Sequence, residues 1–180
     1  GHQLCLFTGP LYFIYKIFSA INLAEELSAQ FQDKKFIPVY WLASEDHDFE
    51  EVNHFNVFGK IIKWESEQTG AVGDFNTKEL EILLSSIKET FGGTENGNYL
   101  VSLFENAYLQ HSTLAEATRY LVNELFGRYG LVTVDGNDPE LKKQFTEHFK
   151  KDIFENTAHT KVSESIAALN KFNYNAQVSP

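Results

Sequence analysis

The stretch Phe36-Ile37-Pro38-Val39-Tyr40-Trp41-Leu42-Ala43-Ser44-Glu45-Asp46-His47-Asp48-Phe49-Glu50-Glu51 decides the fold. Its first half is a nearly continuous apolar run of strand length, the kind buried on both faces of a parallel sheet. Pro38 sits near its start, where a lost donor is tolerated. The second half breaks into a dense acidic turn. Upstream, Gln3 to Phe7 reads as a short strand closed by Thr8-Gly9-Pro10. Ile14, Ile17, Phe18, Ile21, Leu23 and Leu27 then recur at helical spacing, and Pro10 fits the first helical position.

Downstream, His54 to Phe58 and Lys60 to Trp64 flank Gly59 as a hairpin. Three helices are predicted next. The first is capped at Asn76 and stopped by Gly92-Gly93, the second spans Asn98 to Leu109, and the third follows the capping-box pattern Thr113-x-x-Glu116 up to Phe126. Leu131 to Val134 is another short strand, and Asp138-Pro139-Glu140 opens a further helix. A final helix near Val162 to Leu169 leads into Asn173 to Val178, read as a strand. Strands alternating with helices predict an α/β fold, with a parallel sheet, helices on both faces and a largely helical insertion. The expected organisation is residues 1–64 as the first part of the core, 65–111 as the insertion, and 112–180 as the continuing, truncated core. Ligands in such sheets bind beyond the carboxyl ends of the strands, which singles out the loops at Thr8 to Pro10, Ser44 to Glu51 and Asp135 to Asp138.

The 180 residues are 43% hydrophobic and 22% charged, an ordinary globular balance. The apolar stretches are too short for a spanning helix, so no membrane partner is expected. A formal charge of −10 argues against a nucleic-acid partner, because phosphate neutralisation needs a basic face. Cys5 is the only cysteine, so no internal disulfide can form, and a reducing, cytoplasmic location is expected. The sequence has no methionine, even at position 1, and Val178-Ser179-Pro180 reads as a continuing chain. A piece of a longer protein is therefore expected.

Thr8 and Gly9 place a hydroxyl and a flexible residue before a helix N-terminus, which favours an anion. The turn carries neither a Walker lysine nor G-x-G-x-x-G, and a plain strand-to-helix turn is the alternative. His47, flanked by Glu45, Asp46 and Asp48, can be held in one tautomer and made a better base. His47 and His54, seven residues apart, could equally share a helix face with a carboxylate as metal ligands, although no metal site is assigned. A solvated capping turn is the plainer reading of the same acids. Asp135 could bind ribose or a cation, or simply belong to a turn. Tyr12 and Lys16 lie one helical turn apart, offering a cation to an anionic substrate. Cys5 reads as an inert buried thiol, and His2, His111, His148 and His159 carry no pattern.

Three blocks are recognisable together: Gly1-His2-Gln3-Leu4-Cys5-Leu6-Phe7-Thr8-Gly9-Pro10-Leu11-Tyr12 with Tyr15-Lys16, Pro38 to His54, and Phe126-Gly127-Arg128-Tyr129-Gly130-Leu131 with Asp135-Gly136-Asn137-Asp138-Pro139. In these blocks the chain closely resembles the BshC family of bacillithiol biosynthesis. His2 stands where the family usually has glutamine, and Cys5 replaces a small residue. The resemblance implies a Rossmann-like core similar to class I aminoacyl-tRNA synthetases, although the synthetases' histidine pair is replaced by Thr8-Gly9-Pro10-Leu11-Tyr12. It implies a ligase joining L-cysteine to glucosaminyl-malate as the last step to bacillithiol, with ATP or another nucleotide as the implied activator. It also implies a homodimer formed through a coiled coil absent from this chain.

On that resemblance, Thr8 and Gly9 hold an anionic group, and Asp46 and His47 grip the amine or shuttle its proton. Glu45 orients His47 and Lys16 offsets negative charge, while Tyr12, His54 and Asp135 complete the binding set. The competing readings are a nucleotidyltransferase-like enzyme, a metal-dependent enzyme using Asp46, His47 and His54, and a non-catalytic module whose acidic loop binds a protein.

Overall fold

A computed structural model describes residues 1–178. Ser179 and Pro180, read above as part of a continuing chain, lie outside the described residues. The chain divides into two compact units, Gly1–Asn137 and the segment from Asp138 onward.

The first unit is α/β with parallel strands, as expected. Helix α1 (Tyr12–Gln30) buries Phe13, Ile17, Ile21 and Ala24, the stripe that its periodicity predicts. Strand β1 (Val39–Leu42) runs parallel to β4 (Val132–Asp135), in register Val39↔Val132 through Leu42↔Asp135. On the other side of β1 the chain start forms a single parallel bridge. The His2 N–H donates to the Trp41 carbonyl at 3.3 Å, and the Ala43 N–H donates to the His2 carbonyl at 3.2 Å. The carboxyl ends of β1 and β4 therefore point the same way, which brings Ser44 beside Asp135.

Three expectations change here. The opening strand does not extend to Phe7, because the chain coils into a tight 3-10 turn at Leu6–Thr8. The Phe7 N–H pairs with the Tyr108 hydroxyl at 2.7 Å instead of joining a ladder. Pro10 precedes α1 rather than opening it, and its carbonyl accepts the Phe13 N–H at 2.9 Å. Only one face of β1 is covered. Tyr40 and Leu42 are buried, with Tyr40 edge-on to Phe13 at 5.5 Å, whereas Val39 and Trp41 remain 49% and 45% exposed. Apolar residues on both faces hid this alternation.

After β1 come a short helix, α2 (Phe49–Val52), and the antiparallel hairpin β2 (His54–Val57) and β3 (Lys60–Lys63). Phe58 and Gly59 both have positive φ, +47° and +75°, as the twist of a two-residue hairpin turn requires. Residues 65–111 are mainly helical. They hold tight turns at Val72–Asp74 and Thr77–Leu80, α3 (Glu81–Phe91), α4 (Glu95–Phe104) and a π turn at Glu105–Leu109. Asn76 caps as predicted, accepting the Lys78 N–H at 2.9 Å. Helix α4 starts before Asn98 because the Thr94 hydroxyl accepts the Gly97 N–H at 3.0 Å. The Thr113–Glu116 capping box is present and opens α5 (Leu114–Phe126).

In the second unit, Asp138 caps α6 (Pro139–Lys143) as predicted, followed by α7 (Thr146–Glu155) and α8 (Thr157–Lys171). Asn173 to Val178 is not a strand. Asn173 takes φ +59° and the Tyr174 N–H returns to the Leu169 carbonyl at 3.2 Å, which terminates α8. Among the described residues no helix is long and apolar enough to cross a membrane.

Candidate active site

Phe7, Thr8 and Gly9 have consecutive positive φ values of +50°, +71° and +55°. For residues with a Cβ this conformation costs roughly 1–2 kcal/mol each and persists only where the surroundings impose it. The Phe7 ring packs among Phe55, Phe91 and Phe104, at 5.5, 6.2 and 5.8 Å between centroids. Its N–H is held by Tyr108, a fully buried side chain on the π turn. Burial pushes the Tyr108 phenol far above its ordinary range, so it stays neutral and can accept this bond. Tyr108→Phe keeps the ring but leaves the Phe7 N–H without its partner. We expect a loss of about 1 kcal/mol, seen as a lower urea midpoint with unchanged slope.

The acidic loop is braced from two sides. The Val72 N–H donates to the Asp46 carbonyl at 2.7 Å and the Gly73 N–H to the Ser44 carbonyl at 2.9 Å. A Cβ at Gly73 would fall 2.6 Å from Ser44, so this approach requires glycine. The Ser44 hydroxyl bonds the Asp135 carboxylate, which also pairs with Arg119 at 3.4 Å and accepts the Asn137 N–H at 2.9 Å. Asp135 thus ties the ends of β1 and β4 together.

The Asp46 carboxylate accepts the Asp48 N–H and the Gln3 amide, each at 3.0 Å. These bonds, the Asp48 N–H first, hold its carboxyl below the usual carboxylate range, so Asp46 is ionised at neutral pH. The same Gln3 amide nitrogen reaches Glu51 at 2.6 Å and bridges the two carboxylates.

Glu51 opens onto a groove of about 570 Å³. Thr8, Gly9 and Leu11 line one side of it, and Glu51, His54 and Asn56 line the other. Two of the three loops singled out in the sequence thus meet across a single groove, with Asp46 joined to it through Gln3 and Glu51. The Gly9 N–H already bonds the Leu6 carbonyl at 3.0 Å, so the Thr8 hydroxyl, and not the Gly9 N–H, is a donor this turn can offer. His54 Nδ1 lies 3.1 Å from Asn53 Oδ1.

The other candidates lie apart from the groove lining. Tyr12 packs on the His2 ring at 5.2 Å, and the Lys16 ammonium sits 5.7 Å above the Tyr12 ring, beside a small pocket shared with Gly1 and Tyr40. His47 is exposed, and no hydrogen bond joins it to Glu45 among the described residues. Glu45 turns toward Gly136, where a Cβ would lie 2.7 Å from its carboxylate and 2.8 Å from the Trp41 indole nitrogen. Burial pushes the Cys5 thiol up to about 11, so it stays protonated and unreactive. Among the described residues no three His, Cys, Asp or Glu side chains are grouped to hold a metal ion.

Sequence reasoning missed Gln3 and Glu51 as a pair. Gln3 stood at the edge of an apolar run and Glu51 at the end of an acidic one, and only the tertiary fold joins them.

All 180 residues match the family model described as the N-terminal Rossmann-like domain of bacillithiol biosynthesis BshC. The chain is 51% identical over 180 residues to a Flavobacterium psychrophilum protein named "Putative cysteine ligase BshC", covering 100% of this chain and 34% of that protein. Proteins of the same name from Christiangramia forsetii and Staphylococcus epidermidis are 46% and 34% identical, over 100% and 83% of this chain and 34% and 30% of their own lengths. The chain therefore spans about a third of the length of these relatives.

Proposed function

Because the chain belongs to the BshC family of bacillithiol biosynthesis, whose N-terminal Rossmann-like domain it matches throughout, we propose that the protein containing it is a cytoplasmic cysteine ligase. It joins L-cysteine to glucosaminyl-malate through an amide bond, the last step to bacillithiol. The observation that carries this reading is the convergence of the Thr8–Gly9 turn and the Glu51–His54 segment on one groove.

Amide formation needs an activated carboxyl, an amine freed of its proton, and a donor for the oxyanion that develops as the C–N bond forms. Asp46 and Glu51, held together by Gln3, present negative charge to the cysteine ammonium, with His47 next in the same loop. The Thr8 hydroxyl and the amino end of α1 favour the anionic malate or the developing oxyanion. Glu45, Asp135, Tyr12 and Lys16 support these loops from outside the groove lining. Activation of the carboxyl, by ATP or another nucleotide on the family resemblance, would precede the step assigned here. Pairing of subunits through a coiled coil lies in the remaining two thirds of the protein.

Thiols labelled in cells with and without the gene, and identified by mass spectrometry, test the assignment. Loss of bacillithiol with build-up of glucosaminyl-malate is the expected result. Unchanged bacillithiol would remove the protein from this step.

A further inference from the structure

Two histidines neighbour the proposed amine site, and their surroundings differ. His47 is exposed and its ring has no hydrogen-bond partner among the described residues. His54 lines the groove, and its Nδ1 lies 3.1 Å from the side-chain oxygen of Asn53.

Asn53 itself is 1% exposed at the junction of α2 and β2. Its backbone is fully engaged there, with its N–H on the Phe49 carbonyl at 3.0 Å and its carbonyl accepting the Trp64 N–H at 2.7 Å. Its amide nitrogen is buried with no partner among the described residues. A buried carboxamide with one unmet donor is unfavourable for stability alone, and such groups recur where a site needs them. Among the described residues, the one side-chain bond it makes is to the groove histidine. With the amide oxygen turned to the ring, as it stands here, the hydrogen bond needs the proton on Nδ1 and leaves the lone pair of a neutral imidazole on Nε2; the opposite amide orientation would give the other tautomer.

We infer that Asn53 is a positioning residue that fixes the tautomer of His54, so that His54 Nε2, rather than His47, takes the proton from the attacking ammonium. This inference rests on the ligase reading above. In the step, one N–H bond of the ammonium breaks and its electron pair stays on nitrogen as the nucleophile. The proton passes to Nε2, and the resulting imidazolium keeps its Nδ1–H on Asn53. Glu51 is the other titratable group lining the groove, and Asp46 stands behind it through Gln3.

The test uses the full-length protein. Nitrogen-15 NMR of histidine-labelled protein, with His54 identified by its loss in His54→Gln, should find the neutral ring protonated on Nδ1. Asn53→Leu, of similar size and without the oxygen, should lower kcat roughly 10- to 100-fold, the range for partners that orient a histidine. Asn53→Asp restores an acceptor and should recover most of that rate. Its carboxylate favours charged His54, so the acid limb of the kcat/KM profile should move to higher pH. A proton on Nε2 in the wild-type protein would overturn the inference, as would an Asn53→Leu protein with unchanged rate and pH profile. The NMR result stands even if Asn53→Leu fails to fold. A wild-type protein that makes no bacillithiol would instead count against the ligase reading and leaves the tautomer to be decided by NMR.

Discussion

Gly9→Ala is expected to lower stability by about 2–5 kcal/mol and to cut bacillithiol formation at least 100-fold. Two effects add. At φ +55° and ψ −131° the backbone lies in a region open essentially to glycine alone, at a cost of roughly 1–2 kcal/mol for alanine. The new methyl would also fall 2.5 Å from the Cys5 Cβ, which is itself buried and cannot retreat. Overpacking of that kind costs about 1–3 kcal/mol. Relief of the clash moves Thr8 off the groove, so activity falls further than stability. Gly130→Ala is the control. It shares a positive φ, +76°, but meets nothing within 4 Å, so only the smaller backbone cost of about 1 kcal/mol is expected. Urea unfolding of both variants checks the pair. Equal losses would contradict the described packing of Gly9 on Cys5.

Asp46→Ala is expected to abolish bacillithiol formation while the protein stays folded, and Asp46→Asn to raise the KM for cysteine at least 10-fold. The asparagine retains an acceptor for the Asp48 N–H, so the loop survives and the lost charge is what is measured. Because the folded carboxyl titrates below its ordinary range, ionised Asp46 contributes stability above the unfolded carboxylate value. That contribution disappears only as pH falls through the lower folded value. It is small, since the group is largely solvated. Between pH 6 and 8, cysteine binding should therefore show no titration from Asp46. Steady-state kinetics across this range provides the check, and a wild-type KM in Asp46→Asn would remove Asp46 from the amine site.

Much of the fold was legible because local chemistry agreed with tertiary structure. The stripe of α1, the Asn76 cap, the Thr113–Glu116 box, the Gly59 hairpin and the Asp138-Pro139 start are short-range signals, and all are present. The failures share a different cause. Phe7 left its predicted strand because Tyr108, 101 residues away, takes its N–H. Trp41 read as core because an apolar side chain carries no mark of a face left uncovered.

The site was legible in part. Thr8, Gly9 and His54, singled out in the sequence, line one groove and Asp46 joins it through Gln3, whereas the contacts of Gln3, Glu51 and Asn53 are ones that adjacent residues do not announce. Glu45 and His47 are neighbours in sequence yet point to different surroundings, so adjacency alone suggested a pairing that the loop does not form.

The most direct measurement is a crystal structure of the full-length protein with glucosaminyl-malate and L-cysteine, the cysteine sulfur located by anomalous scattering. Both molecules are expected in the groove, with the cysteine ammonium against Glu51 and Asp46, the malate beside Thr8, and His54 Nε2 facing the attacking amine. Substrates bound beside Lys16 and Tyr12, with the Thr8–His54 groove empty, would contradict this placement.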